Sequence, residues 1–141
     1  MVRTESRDLQ ESNWHNGLIY KKKLTRICTE LLEPIRQHFF MPVIISSAFR
    51  TPELNHRIGG SITSQHCVGE AADFNLLTYT SDQDKRKIIK WIWQDSGLKF
   101  RQLIFEYDCI HISLPHGTES DGQVFELNMT TKQKRWYQKR Y

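Results

Sequence analysis

Gln102-Leu-Ile-Phe-Glu-Tyr-Asp-Cys-Ile-His-Ile-Ser113 is the stretch on which the fold turns. The runs Gln102 to Tyr107 and Cys109 to Leu114 follow each other so closely that they read as neighbouring antiparallel strands. With Tyr107-Asp108 as a two-residue hairpin loop, Glu106 pairs with Cys109, Ile104 with His111 and Gln102 with Ser113. Alternate residues of a strand share a face. Glu106 and His111 then lie on one face with Cys109 and Ser113, while Ile110, Ile112 and Leu114 take the other. Tyr-Asp lacks the glycine favoured in such loops, and a loop one residue longer would undo this parity.

Working outward, Ala71 to Leu76 alternates in the same way: Ala72, Phe74 and Leu76 face one side, Asp73 and Asn75 the other. Pro42 to Phe49 reads as a strand with its proline at the start, where a ladder donor is dispensable. Leu24, Ile27, Cys28, Leu31, Leu32 and Ile35 fall at helical spacing and predict a helix from Leu18 to His38, kinked or cut short by Pro34. Thr51-Pro52-Glu53 is a helix start that Gly59-Gly60 stops at once, and Ser81-Asp-Gln-Asp84 opens a second long helix that ends near Gly97. Gly117 to Gly122 reads as a polar loop and Val124 to Met129 as the last strand. The sum is one α+β domain spanning 1–141, a small, mainly antiparallel sheet flanked by helices. Residues 1–17 read as an N-terminal arm and 132–141 as a basic C-terminal tail.

The 141 residues suffice to bury a core, and 38% hydrophobic against 26% charged is an ordinary globular composition. No apolar run approaches the ~20 residues of a membrane span. The polar start, with no apolar h-region, sets the expectation of a cytoplasmic product and free thiols at Cys28, Cys67 and Cys109. The net charge of +4 is concentrated in Lys132 to Tyr141. Such a tail attracts polyanions, a bacterial envelope among them, and no nucleic-acid motif accompanies it.

Ser64-Gln-His-Cys-Val-Gly-Glu-Ala-Ala-Asp73 supplies His66 and Asp73, and the hairpin supplies His111. Two imidazoles and a carboxylate make an open zinc set, leaving a fourth position for water. A carboxylate that is not a ligand must then take the proton from that water. Glu106 fits by face; Asp108, three residues before His111, is its competitor. A lone histidine on a strand is more often structural than ligating, so spacing alone leaves both readings standing.

Four segments carry a resemblance: Ser46-Ser-Ala-Phe-Arg-Thr-Pro-Glu-Leu-Asn55, Gly59-Gly-Ser-Ile-Thr-Ser-Gln-His66, Gly69-Glu-Ala-Ala-Asp73 and Ile110-His-Ile-Ser113. In this order they closely resemble the zinc D-alanyl-D-alanine carboxypeptidases, a family that includes phage peptidoglycan peptidases and shares its fold with the Hedgehog domain. The similarity runs from about Leu18 to Leu114 and includes the Pro34 of the first helix. It implies that His66, Asp73 and His111 bind Zn2+, that Arg50 sits beside the scissile carbonyl or substrate carboxylate, and that Ser64 and Gln65 line the cleft. Ser113 counts with them as substrate-binding. Relatives place the base either where Glu106 stands or where Asp108 stands, and many have an aromatic residue in place of Cys109. The resemblance implies a monomeric D,D- or L,D-type carboxypeptidase or endopeptidase acting on peptidoglycan, of phage endolysin type. The alternative is a binding module that keeps the metal without catalysis.

Overall fold

The structure is a computed structural model that describes residues 18–61, 63–115, 117 and 122–139. The expected N-terminal arm and most of the expected 117–122 loop lie outside the described residues. A six-stranded sheet runs β1 (Val43–Ser47), β2 (Ala71–Leu76), β4 (Ile110–Ser113), β3 (Gln102–Phe105), β5 (Gln123–Leu127) and β6 (Lys134–Gln138) in spatial order. Every neighbouring pair is antiparallel except β3 with β5, so the expected α+β, mainly antiparallel architecture holds.

Helix α1 (residues 21–39) follows a short 3-10 turn, Leu18–Tyr20. Its middle, Ile27–Leu32, is π-helical, and Glu33–Phe39 returns to α geometry with Pro34 near its start. A proline has no N–H and its ring crowds the carbonyl four residues back. The wider π turn just before Pro34 is where that conflict is absorbed, so the helix neither breaks nor ends there. Ile27, Leu31, Leu32 and Ile35 are buried on one side of it. Helix α3 (residues 82–95) is capped by Ser81, whose side chain accepts from the Asp84 N–H, and buries Ile88, Ile89 and Ile92. Both helices cover the face carrying Ala72, Phe74, Leu76, Leu103, Phe105, Ile110, Ile112 and Val124. Short α2 (Pro52–Arg57), capped by Thr51, lies with the Gln65–Val68 3-10 turn at the opposite face.

The hairpin has the expected register. Leu103 pairs with Ile112, Ile104 with His111 and Phe105 with Ile110, and the Glu106 N–H donates to the Cys109 carbonyl at 3.0 Å. Tyr107 takes φ 67°, and the Asp108 N–H donates to the Glu106 carbonyl at 2.9 Å, a γ-turn that a glycine-free loop adopts at some strain. Buried Lys85 of α3 donates its ammonium to the Tyr107 carbonyl and so clamps the turn from the core side.

The expected tail is a correction. Residues 134–138 are not a tail beyond the last strand but the sixth strand, paired with β5 from Leu127–Lys134 to Val124–Gln138. Lysines and arginines on an edge strand keep it from pairing with other chains, so the basic composition hid a strand signal carried by Trp136 and Tyr137.

Between β5, β6 and α3, Glu126 is 3% exposed. It accepts from Arg86 Nη2 at 3.0 Å, from the Tyr107 hydroxyl at 3.3 Å and from the Tyr137 hydroxyl. Burial pushes this carboxyl up, but the bonds from Arg86 and Tyr137 outweigh it and hold the group below the usual carboxylate range. A depressed carboxylate contributes stability above its unfolded value, near ~4.3, and loses it as pH falls through the lower folded value. Because Arg86 is half-exposed, Glu126→Gln should cost only about 1 kcal/mol at pH 7. Urea unfolding should show that difference shrinking below about pH 4; an equal difference at both pH values would mean that packing, not charge, is what Glu126 contributes.

Candidate metal centre

Strand pairing draws one row of side chains across the open face of the sheet: Ser47, Asp73, His111, Ile104, Phe125 and Trp136. Asp73 and His111 are direct cross-strand partners, one from β2 and one from β4. His66 comes to them from the 3-10 turn, whose start Ser64 caps by accepting the His66 N–H at 3.3 Å. That turn ends on Gly69 at φ 68°, where a Cβ would stand 2.6 Å from the Tyr20 Cβ. Glycine is required there both for the left-handed backbone and for the close approach, and it lets the chain swing from His66 into β2.

Asp73 Oδ1 lies 3.0 Å from His66 Nε2 and 2.9 Å from His111 Nδ1. All three residues are buried. The opposite nitrogen of each ring is already engaged: His66 Nδ1 donates to the Ala48 carbonyl, and His111 Nε2 donates to Gln65 Oε1 at 3.0 Å. Neutral imidazole has one N–H. With that proton spent outward on both rings, two nitrogen lone pairs and a carboxylate oxygen point at one another, an arrangement that calls for a cation among them. Outward bonds of this kind also fix tautomer and ring orientation in zinc sites. The donor set fits zinc by its chemistry: two imidazoles, one carboxylate and one position left over. Burial raises the Asp73 carboxyl; without an ion, a ring proton turned inward onto Oδ1 outweighs that and holds the carboxyl well below the usual range, keeping it ionised. Burial, only partly offset by Asp73, depresses His66, which favours the neutral ring a metal needs.

The three candidate ligands sit in a cleft of about 710 Å³ that is also lined by Arg50, Ser64, Gln65 and Glu106. Glu106 is carried at the end of β3, and its carboxyl is raised above the ordinary value chiefly by burial, with the Asp73 charge adding to it. Cys109 donates its thiol to Glu106 Oε2 at 3.5 Å, and burial pushes that thiol well up. Asp108 is exposed in the turn and does not line the cleft; its carbonyl accepts from Asn75 Nδ2 at 2.8 Å. Arg50 is held by its N–H, which donates to the His66 carbonyl at 3.0 Å, and Nη2 reaches Ser64 Oγ at 3.4 Å. Its Nε is buried and finds no acceptor among the described residues. Ser113 is not at the cleft surface. It is fully buried, and its Oγ accepts the Gln102 N–H at 3.1 Å, which makes it a strut of the hairpin.

The family described as Peptidase M15 matches residues 4–113. The chain belongs to this peptidase family. No curated protein matches it. M15 peptidases are zinc-dependent, so this M15 chain is a zinc metallopeptidase, and His66, Asp73 and His111 are its candidate ligands. The matched region stops at the end of β4. Cleft residues contributed by β5, β6 and their connection, among them Phe125, Met129, Lys132 and Lys134, lie beyond it. Sequence reading placed the last of these on a tail and did not assign them to the cleft. The available signal was the adjacent aromatics Trp136 and Tyr137, residue types favoured in strands.

Proposed function

We propose that this M15 peptidase hydrolyses a peptide bond in the stem peptides or cross-bridges of peptidoglycan, as an endolysin-type enzyme that reaches the wall from the cytoplasm once the membrane is breached. The observation that carries the reading is the convergence of three ligand atoms with their ring protons turned outward, beside a half-buried carboxylate that is not one of them. His66, Asp73 and His111 would hold the ion, which when bound supplies a Lewis acid that polarises the peptide carbonyl and makes water more acidic.

The chain's own groups do the rest. Glu106 takes a proton from the attacking water and passes it to the departing amine; a carboxyl raised by burial sits nearer to the working pH than an ordinary one. Arg50 faces the cleft with donors to spare, suited to the oxygen on which negative charge develops or to a substrate carboxylate. Ser64 fixes Arg50 and the turn, and Gln65 orients His111; both act by positioning. An inactive binding module would have no use for Glu106 and Arg50 aimed into the same cleft. Among the described residues no helix is long and apolar enough to cross a membrane.

The test is digestion of purified peptidoglycan and soluble muropeptides by zinc-replete protein, with new termini read by mass spectrometry. Defined new amino and carboxyl termini are expected; intact muropeptides would overturn the reading. Arg50→Lys should lower kcat/KM by about tenfold or more while leaving zinc content and melting temperature near wild type, because an ammonium does not reproduce the guanidinium fork. Unchanged kcat/KM would reduce Arg50 to a structural role.

A further inference from the structure

We infer that the arm of the cleft built by β5, β6 and their connection is a subsite for a carboxylate of the substrate, about three residues along the peptide from the bond that is cut. The inference rests on the peptidase reading above and adds where the substrate's charge is recognised.

The cleft extends to both sides of the candidate ligands. On one side it is lined by Arg50 and residues 58–61, 63 and 64; on the other by Arg101, Phe125, Leu127, Met129, Lys132 and Lys134. The acids lining the cleft among the described residues are Asp73 and Glu106, both at its centre. The β5–β6 arm is therefore cationic over an apolar floor, and neither Lys132 nor Lys134 meets an acid among the described residues. Such a surface favours an anionic, partly apolar guest.

The arm is built, not loose. Asn128 Oδ1 accepts from the Thr130 and Thr131 N–H groups, each at 2.9 Å, and the Lys132 N–H closes the loop onto the Asn128 carbonyl at 2.8 Å. Lys132 itself takes φ 60°, a left-handed backbone that a lysine adopts only where its surroundings impose it. Lys134 Nζ stands 4.9 Å from the Phe125 ring centre and 5.5 Å from that of Trp136, so its ammonium is positioned over the aromatic floor before any ligand arrives.

Register gives the distance. Phe125 pairs with Ile104, which pairs with His111, so Phe125, with the Lys134 ammonium over its ring, lies two strands from the ligand cluster. At ~4.8 Å per strand this is about 10 Å, the span of about three residues of extended peptide. A carboxylate that far from the scissile carbonyl would reach Lys132 and Lys134 while the carbonyl lies beside His111 and Glu106.

The test uses zinc-replete full-length protein and synthetic stem peptides, each with one carboxylate converted to a carboxamide. For the carboxylate at the proposed distance, wild type should prefer the acid over the amide by about fivefold in kcat/KM at low salt, expressed in KM and fading as salt rises. Lys132→Gln/Lys134→Gln should bring that ratio to about one, and Lys132→Arg/Lys134→Arg should keep it. Zinc content and melting temperature establish that the variants fold. A wild type indifferent to every carboxylate, or a ratio undiminished in the glutamine variant, would overturn the subsite. Failure of the peptidase reading looks different: wild type would then cut none of the peptides, acid or amide.

Discussion

Glu106→Gln is expected to keep its zinc and lose at least ~10² in kcat on a soluble muropeptide. The substitution preserves size and an acceptor for the Cys109 thiol, which bonds Glu106 Oε2 at 3.5 Å. It removes the basic oxygen, so water in the cleft has no carboxylate to receive its proton. KM should move little, because the lost interaction belongs to the transition state. Asp108→Asn, on an exposed turn residue outside the cleft lining, should leave turnover near wild type. The opposite pattern, in which Asp108→Asn is dead and Glu106→Gln is active, would transfer the base to the turn and require the hairpin to rearrange on substrate binding.

The hairpin shows how far sequence alone reaches. A side-chain period of two gives a register without ambiguity once the loop length is set. The two-residue loop was a supposition that the glycine-free Tyr-Asp pair left open, and the Glu106 N–H bond to the Cys109 carbonyl bears it out. The same parity placed Asp73 on the His111 face, and pairing makes the two direct neighbours. What parity could not supply was any fact about partners outside the strands. That Gln65 and the Ala48 carbonyl take the outward ring protons depends on a turn and a loop meeting from distant parts of the chain. Ser113 misled for a related reason: it shares the His111 face, yet the Gln102 backbone claims its hydroxyl. Residues 132–141 misled because their charge was weighed above the strand-favouring aromatics Trp136 and Tyr137. An edge strand tolerates that charge, and β6 stands at the edge of the sheet.

Chelation of the metal should abolish peptidase activity, and added zinc should restore it. The accompanying change in stability should depend on pH in a direction the geometry fixes. Without an ion, the cluster of lone pairs around Asp73 Oδ1 must take up a proton or bear the repulsion. Although burial opposes it, the Asp73 bond raises His111 above the ordinary histidine value, so the proton settles there. A raised histidine contributes stability that is fully present below its unfolded value, near ~6.5, and is lost as pH rises through the folded value. The zinc-free protein is thus best served in acid. The zinc-loaded protein needs both rings neutral, so its metal is displaced by protons as pH falls. Zinc at a thousandfold excess over its Kd stabilises by about 4 kcal/mol, and this gain should be full on the alkaline side and dwindle on the acid side. Melting curves with and without chelator, recorded from about pH 5 to 8, should diverge as pH rises, and zinc titrations should show tighter binding over the same interval. Asp73→Asn should weaken zinc binding and flatten the divergence, since it removes both the ligand charge and the group that holds the proton on His111. Curves that coincide at pH 8, or a chelated enzyme that still cuts muropeptides, would mean that His66, Asp73 and His111 are a buried hydrogen-bonded cluster and the ion sits elsewhere.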